Sequence, residues 1–135
     1  MGSNQGIPGS VRTGEIALER TEAGLPVLAI KGEHDLSTAP VLRQQLHSLI
    51  AEGVPIVVDL SSATFVDSSI LGVILDARRR AEAEGRGFAV SHANGADPVG
   101  RVLDITGLRS ELPVHAAREL AETAAVGNPS GKSPA

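Results

Sequence analysis

Cysteine, tryptophan and tyrosine are absent from the sequence, phenylalanine occurs twice, and lysine stands only at Lys31 and Lys132. Without thiols the chain forms no disulfide, cysteine nucleophile, thiolate metal site or iron–sulfur cluster, which suits a reducing compartment. With so few aromatic rings it has little on which to stack bases or sugars. A basic stripe is missing too: the formal net charge is −4, whereas a phosphate-backbone binder concentrates lysine and arginine on one face. Protein or small-molecule partners are expected, with no direct nucleic acid. No stretch approaches the about 20 apolar residues that span a bilayer, and the opening MGSNQGIPGSVRTGE holds no signal-peptide core. The expectation is a cytoplasmic protein with no membrane association. Gly85-Arg86-Gly87 does not make a phosphate loop, neither G-x-x-x-x-G-K-[ST] nor G-x-G-x-x-G occurs, and the histidines do not form H-E-x-x-H. No cofactor and no metal are expected.

What remains is a 135-residue chain of one-domain size whose core must be built from Leu, Ile, Val and Ala. Residues 1–13 and 127–135 are rich in small and polar residues without periodicity, and are expected to be flexible segments framing a domain at 14–126. Ile16 and Leu18 alternate with Glu15, Ala17 and Glu19, predicting an edge strand that turns at Gly24 into a second strand, Leu25 to Lys31. Gly32 to Thr38 is a polar break. Ser37 or Thr38 is placed to cap a helix that has Pro40 in its first turn, carries Leu42, Leu46, Leu49 and Ile50, and ends at Gly53.

Ile56 to Leu60 reads as a buried strand and Ser61 to Asp67 as a turn. Ile70, Val73, Ile74, Ala77 and Ala81 then form the apolar stripe of a helix from Ser68 to about Glu84. A strand at Phe88–Ser91 and a short helix through Val99 and Leu103, stopped near Gly107, follow. An edge strand at Leu112-Pro113-Val114 and an alanine-rich helix from Ala116 to Ala125, with Leu120 and Ala124 as its apolar pair, close the chain. The order β-β-α-β-α-β-α-β-α predicts an α/β fold, a single domain with a mixed, mostly parallel sheet flanked by helices.

Function is expected at the strand-to-helix junction Asp67-Ser68-Ser69. A helix start leaves backbone N–H groups unpaired, and Asp67 or Ser68 is placed to accept from them as N-cap. Ser69, in the first turn, then projects a hydroxyl beside the same positive helix end. A phosphate there brings about −1.5 to −2 charges and three acceptor oxygens, leaving the fold intact but changing the surface. A hydroxyl can be buried against a partner, whereas a dianion generally cannot, so a reversible charge at this position describes a binding switch.

Four stretches in order carry a resemblance: Gly32-Glu33-His34-Asp35, Val57-Val58-Asp59-Leu60-Ser61, Phe65-Val66-Asp67-Ser68-Ser69-Ile70-Leu71-Gly72 and Val102-Leu103-Asp104-Ile105-Thr106-Gly107-Leu108. Together they resemble the STAS domain family, particularly the bacterial anti-sigma factor antagonists, over approximately Glu15 to Ala125. The resemblance implies a non-enzymatic regulator of transcription that binds an anti-sigma factor with GHKL-type serine kinase activity and so releases a sigma factor. It implies phosphorylation of the second serine, Ser69, as the event that weakens binding, and a separate serine phosphatase that restores it. The partner-binding set it implies is Asp35, Ser37, Thr38, Asp67, Ser68, Ser69 and Ile70. Where the family pattern has glycine directly after the second serine, this chain has the stiff, branched Ile70.

Other readings stay open at this level. A STAS scaffold protein of a stress-signalling complex shares the same signatures. A small serine hydrolase would pair Ser69 with His34, His47, His92 or His115, although no G-x-S-x-G elbow is present. Asp59 lies at a strand end, where a receiver domain would carry its phosphate-accepting aspartate, but the acidic pair and late lysine of a receiver are missing. It is expected to organise the turn. Arg78-Arg79-Arg80 with Arg86 is interleaved with Glu82 and Glu84 and reads as a solvated helix face.

Overall fold

The structure, a computed structural model, describes residues 14–93, 97–112 and 114–127. They form β1 (Glu15–Arg20), β2 (Pro26–His34), α1 (Ala39–Glu52), β3 (Ile56–Asp59), β4 (Ala63–Val66), α2 (Ser68–Ala83), β5 (Phe88–Ser91), α3 (Pro98–Ile105), α4 (Leu108–Glu111), β6 (Val114–His115) and α5 (Arg118–Gly127). The terminal segments expected to be flexible lie outside the described residues, apart from Gly127, which closes α5. The sheet order is β1-β2-β3-β5-β6, with β4 paired to β2. β1 is antiparallel to β2 and every other pairing is parallel. The α/β architecture with a mixed, mostly parallel sheet is the one expected. β3 and β5 are buried along their whole length, which is why they read as continuous apolar runs without alternation.

β4 corrects the sequence reading, in which Ser61 to Asp67 is a turn. Only Ser61 and Ser62 turn. The Asp59 Oδ1 accepts the Ser61 N–H at 3.0 Å, in a short turn after which β4 continues in the same direction as β3 and pairs with the far end of β2. β2 is long enough to serve two partners: Val27 to Ala29 pair with Val57 to Asp59, and Gly32, Glu33 and His34 align with Ala63, Phe65 and Val66. The register shifts between Gly32 and Glu33, and Gly32 has φ +80°, a backbone conformation glycine adopts at little cost. In β4 Ala63 and Val66 are buried while Thr64 and Phe65 are exposed, so the period-two signature of a strand is missing.

α1, α2 and α3 cover one face of the sheet, packing Leu42, Leu46, Ile70, Ile74, Val99 and Leu103 against Leu28, Ile30, Val58 and Val90. α5 covers the other face above Val27, Val57 and Ala89. Its apolar pair is one residue removed from the expected one: Leu120 is 56% exposed, and Ala121 and Ala125 face the sheet. A Cβ on Gly87 would overlap the Ala125 carbonyl, so the helix backbone itself rests on the start of β5 and only small residues fit beneath it.

Arg118 pins this helix, donating from Nε and Nη2 to Asp59 Oδ2 at 3.0 and 2.8 Å and from Nη1 to Glu19 Oε1 at 2.8 Å. Asp59 also accepts the Ser91 hydroxyl at 2.8 Å and thus organises the strand end, as expected. Burial opposes its ionisation but is outweighed by the Ser61 N–H, the Arg118 guanidinium and the Ser91 hydroxyl, which hold its pKa below the usual carboxylate range. α3 stops just before Gly107, as expected, and Gly107, at φ +74°, leads into the short α4, which the sequence reading did not contain. The last strand lies at the sheet edge as expected, at Val114–His115 where Leu112-Pro113-Val114 was the expectation.

Candidate functional site

Asp67 is the N-cap of α2. Its backbone is extended, and Oδ1 accepts from the Ser69 N–H at 3.0 Å, the Ile70 N–H at 3.2 Å and the Ser69 hydroxyl at 2.5 Å. One carboxylate oxygen therefore satisfies two of the helix's unpaired donors and also fixes the direction of the Ser69 hydroxyl. With the hydrogen committed to Asp67, the lone pairs of Ser69 Oγ remain for an electrophile. Ser68 is exposed, and Ser69 and Asp67 are half-buried. Ile70 has no exposed surface. Its place in the expected partner-binding set is corrected: it lies on the buried stripe with Ile74 and Ala77, and offers a partner no side-chain surface.

The polar break before α1 is a second ordered turn. Asp35 Oδ1 accepts the Ser37 N–H at 2.9 Å and the Ser37 hydroxyl at 2.6 Å. The Ser37 hydroxyl and N–H together hold the Asp35 carboxyl below its usual range. Thr38 occupies the N-cap position of α1 but makes no side-chain cap bond. Its Oγ1 turns instead to the buried His34 ring, 3.1 Å from Nδ1. His34 Nε2 lies 2.9 Å from the Lys31 carbonyl oxygen. A carbonyl only accepts, so Nε2 carries the hydrogen, while the single Thr38 hydroxyl hydrogen has both His34 Nδ1 and the Asp35 carbonyl within reach at 3.1 Å. Gly14 backs this ring so closely that a Cβ there would overlap it and the Glu33 carbonyl.

The pairing of β2 with β4 unites these turns. His34 is the register partner of Val66, so Asp35 and Asp67 leave neighbouring strands at the same level. Asp35, Ser37, Asp67, Ser68 and Ser69 thus belong to adjacent surface turns, with Thr38 half-buried behind them. Sequence reasoning missed two apolar residues on these segments, Leu36 at 71% exposure and Phe65 at 43%. Both stand inside or next to the signature stretches, but a single apolar residue in a polar loop gives no sign of which way it points. The structural parts played by His34 and Gly14 were missed as well; the packing of Gly14 on the His34 ring joins segments distant in the chain.

The Ser69 hydroxyl donates to a carboxylate, while His34 is held by Lys31 and Thr38, His92 by Asp97, and His47 faces Asp76. Among the described residues no three His, Asp or Glu side chains are grouped as for a metal ion, and no helix is long and apolar enough to cross a membrane.

Residues 17–122 match the protein family described as "Mlab, STAS domain". The chain is 31% identical over 90 residues to the anti-sigma-B factor antagonist of Bacillus subtilis (strain 168), covering 67% of this chain and 81% of that protein. It is 34% identical over 94 residues to the anti-sigma F factor antagonist of Paenibacillus polymyxa, covering 68% and 79%. The crystal structure of an anti-sigma factor antagonist from Mycobacterium paratuberculosis superimposes with a TM-score of 0.72 at 27% identity, covering 85% of this chain and 96% of the other. The four ordered signatures, the sheet that brings two of them together and these similarities agree: the chain belongs to the STAS domain family.

Proposed function

We propose that the protein is an anti-sigma factor antagonist that works in the cytoplasm without catalysing a reaction of its own. It binds an anti-sigma factor with GHKL-type serine kinase activity, is released when that kinase phosphorylates Ser69, and is returned to the binding state by a serine phosphatase. The observation that carries this reading is the Ser69 hydroxyl, half-buried at the start of α2 and oriented by Asp67, within a chain whose relatives bear the antagonist name.

The electrostatics support a switch. Phosphorylation removes the hydrogen that Ser69 Oγ donates to Asp67 and replaces a 2.5 Å attraction with repulsion between anions. Two unit charges about 4 Å apart at an effective dielectric of about 20 repel by about 4 kcal/mol. The N-terminal N–H groups of α2 offset part of this, so the rearrangement falls on the turn and the surface it shares with Asp35 and Ser37. The hydrophobic stripe of α2 stays in place.

Capture from extract of the native cells tests the reading, using the full chain and its Ser69→Glu variant as baits. The expected result is recovery of a GHKL-type anti-sigma factor on the first and its depletion on the second. Recovery of a large multisubunit STAS assembly in place of the anti-sigma factor, equally on both baits, would contradict it.

A further inference from the structure

We propose that Gly72 is the point at which the main chain of the anti-sigma factor comes closest to this protein, on an exposed stripe of α2 that runs down from Ser69; the inference deepens the reading of Ser69 given above and rests on it. Its basis is a glycine that the fold does not require. Inside a helix, glycine is less stable than alanine, because its backbone gives up more freedom on folding and it brings no side chain to pack. A fold calls for it where the backbone turns left-handed or where no Cβ fits. Gly24, Gly32, Gly53, Gly85 and Gly107 meet the first condition, with φ between +74° and +88°. Gly14 and Gly87 meet the second, since a Cβ would run into the His34 ring in one case and the Ala125 carbonyl in the other. Gly72 meets neither. It lies in the second turn of α2, outside the left-handed region, and a Cβ built on it stands in open space, with nothing from the rest of the molecule within 4 Å.

The position of Gly72 indicates what uses that space. Helical periodicity sets it one turn from Ser69 and on a common face with Ser68 and Asp76, and Ser68, Gly72 and Asp76 are all exposed. Ile70 is buried, so a partner that reaches the Ser69 hydroxyl comes over Gly72 and not over position 70. With only hydrogen on its Cα, Gly72 lets a second backbone rest on the helix itself, about one helical turn from Ser69. The stripe selects main chain over a bulky apolar side chain, because it is flanked by the Ser68 hydroxyl and the Asp76 carboxylate and has no apolar socket. Those two oxygens are acceptors for the N–H groups of the segment laid between them. Any side chain at position 72 lifts that segment off the helix and away from Ser69.

Gly72→Ala separates contact from fold because its two effects run in opposite directions. Alanine improves the helix and meets no neighbour, so the melting temperature is expected to rise by about 2–4 °C. The anti-sigma factor retained on the parent chain from native-cell extract is purified and titrated calorimetrically into the full chain and its variants. For Gly72→Ala the Kd is expected to rise about tenfold or more, the effect of forcing a methyl group into a packed contact. Gly72→Gln, longer but also a good helix former, is expected to bind more weakly still, with a melting temperature no lower than the parent's. Ser69→Glu is titrated alongside. If Ser69→Glu binds more weakly than the parent while both Gly72 variants bind as the parent does, this inference is overturned and the Ser69 reading stands. A melting temperature for Gly72→Ala below the parent's shows that the fold needs the glycine and overturns the inference whatever the affinity. Equal binding by the parent and Ser69→Glu, with weaker binding by a more stable Gly72→Ala, upholds the Gly72 contact and overturns the switch at Ser69. No anti-sigma factor retained on the parent overturns both.

Discussion

Replacing Asp67 by alanine separates the two duties of the motif. The carboxylate oxygen receives the N–H groups of Ser69 and Ile70 and the Ser69 hydroxyl, and all three donors lose their partner in Asp67→Ala. Loss of an N-cap costs about 0.5–2 kcal/mol. Here the Ile70 amide adjoins a side chain with no exposed surface and is poorly placed to recruit water, so the upper end, about 1.5–2 kcal/mol, is expected. For a domain of this size 1 kcal/mol corresponds to about 4 °C in melting temperature, giving a fall of about 6–8 °C by circular dichroism. Asp67→Asn retains an acceptor oxygen and is expected to lose about 2 °C at most. Ser69→Ala leaves both backbone donors satisfied and should also stay within about 4 °C of the parent. A melting temperature for Asp67→Ala within about 2 °C of the parent, or a Ser69→Ala variant that falls as far as Asp67→Ala, would refute this division into cap and free-standing acceptor.

Arg118→Ala leaves the largely buried Asp59 carboxylate without its cation and is expected to cost about 2–3 kcal/mol in urea unfolding, at the lower end of a broken buried pair because Arg118 is itself partly exposed. Asp59 has a folded pKa below its unfolded one, so its stabilisation is complete above about pH 4 and drains away as pH falls through the folded value. The parent should therefore lose stability on acidification more steeply than Arg118→Ala, which is checked by urea midpoints between neutral and acid pH. Gly87→Ala forces a methyl group into the Ala125 carbonyl and should cost about 1–3 kcal/mol, with amide hydrogen exchange rising first in α5. Ile70→Ala should cost about 2–5 kcal/mol as a core cavity. Partner affinity per folded molecule should remain unchanged, and a selective loss of affinity at full stability would return Ile70 to the contact surface.

Much of the site was legible because its signals are local. An aspartate followed by two serines and an apolar stripe at helical spacing contains the cap, the first-turn hydroxyl it orients and the direction of Ile70 within one short window. What escaped depends on contacts between distant segments. β4 has no alternating pattern, and its existence follows from β2 running past the end of β3 with a register shift beside Gly32. That same pairing sets Asp35 beside Asp67, so the union of the two turns was available only as a resemblance until the strands were in register. The inward face of α5 was misjudged by one residue because local apolarity favoured Leu120, while the fit of Ala125 over Gly87 decided the packing. His92 and Asp97 belong to the same class: they join the end of β5 to the cap of α3 at 3.2 Å, and nothing in their spacing announces it.

The account turns on whether one phosphate on Ser69 governs association. Its most direct test is calorimetric titration of the purified anti-sigma factor into the chain before and after enzymatic phosphorylation, with the modified protein resolved so that phosphoserine sits at position 69 only. The prediction is at least a tenfold rise in Kd, about 1.4 kcal/mol, reversed on treatment with a serine phosphatase. Equal affinity for the two forms would contradict it.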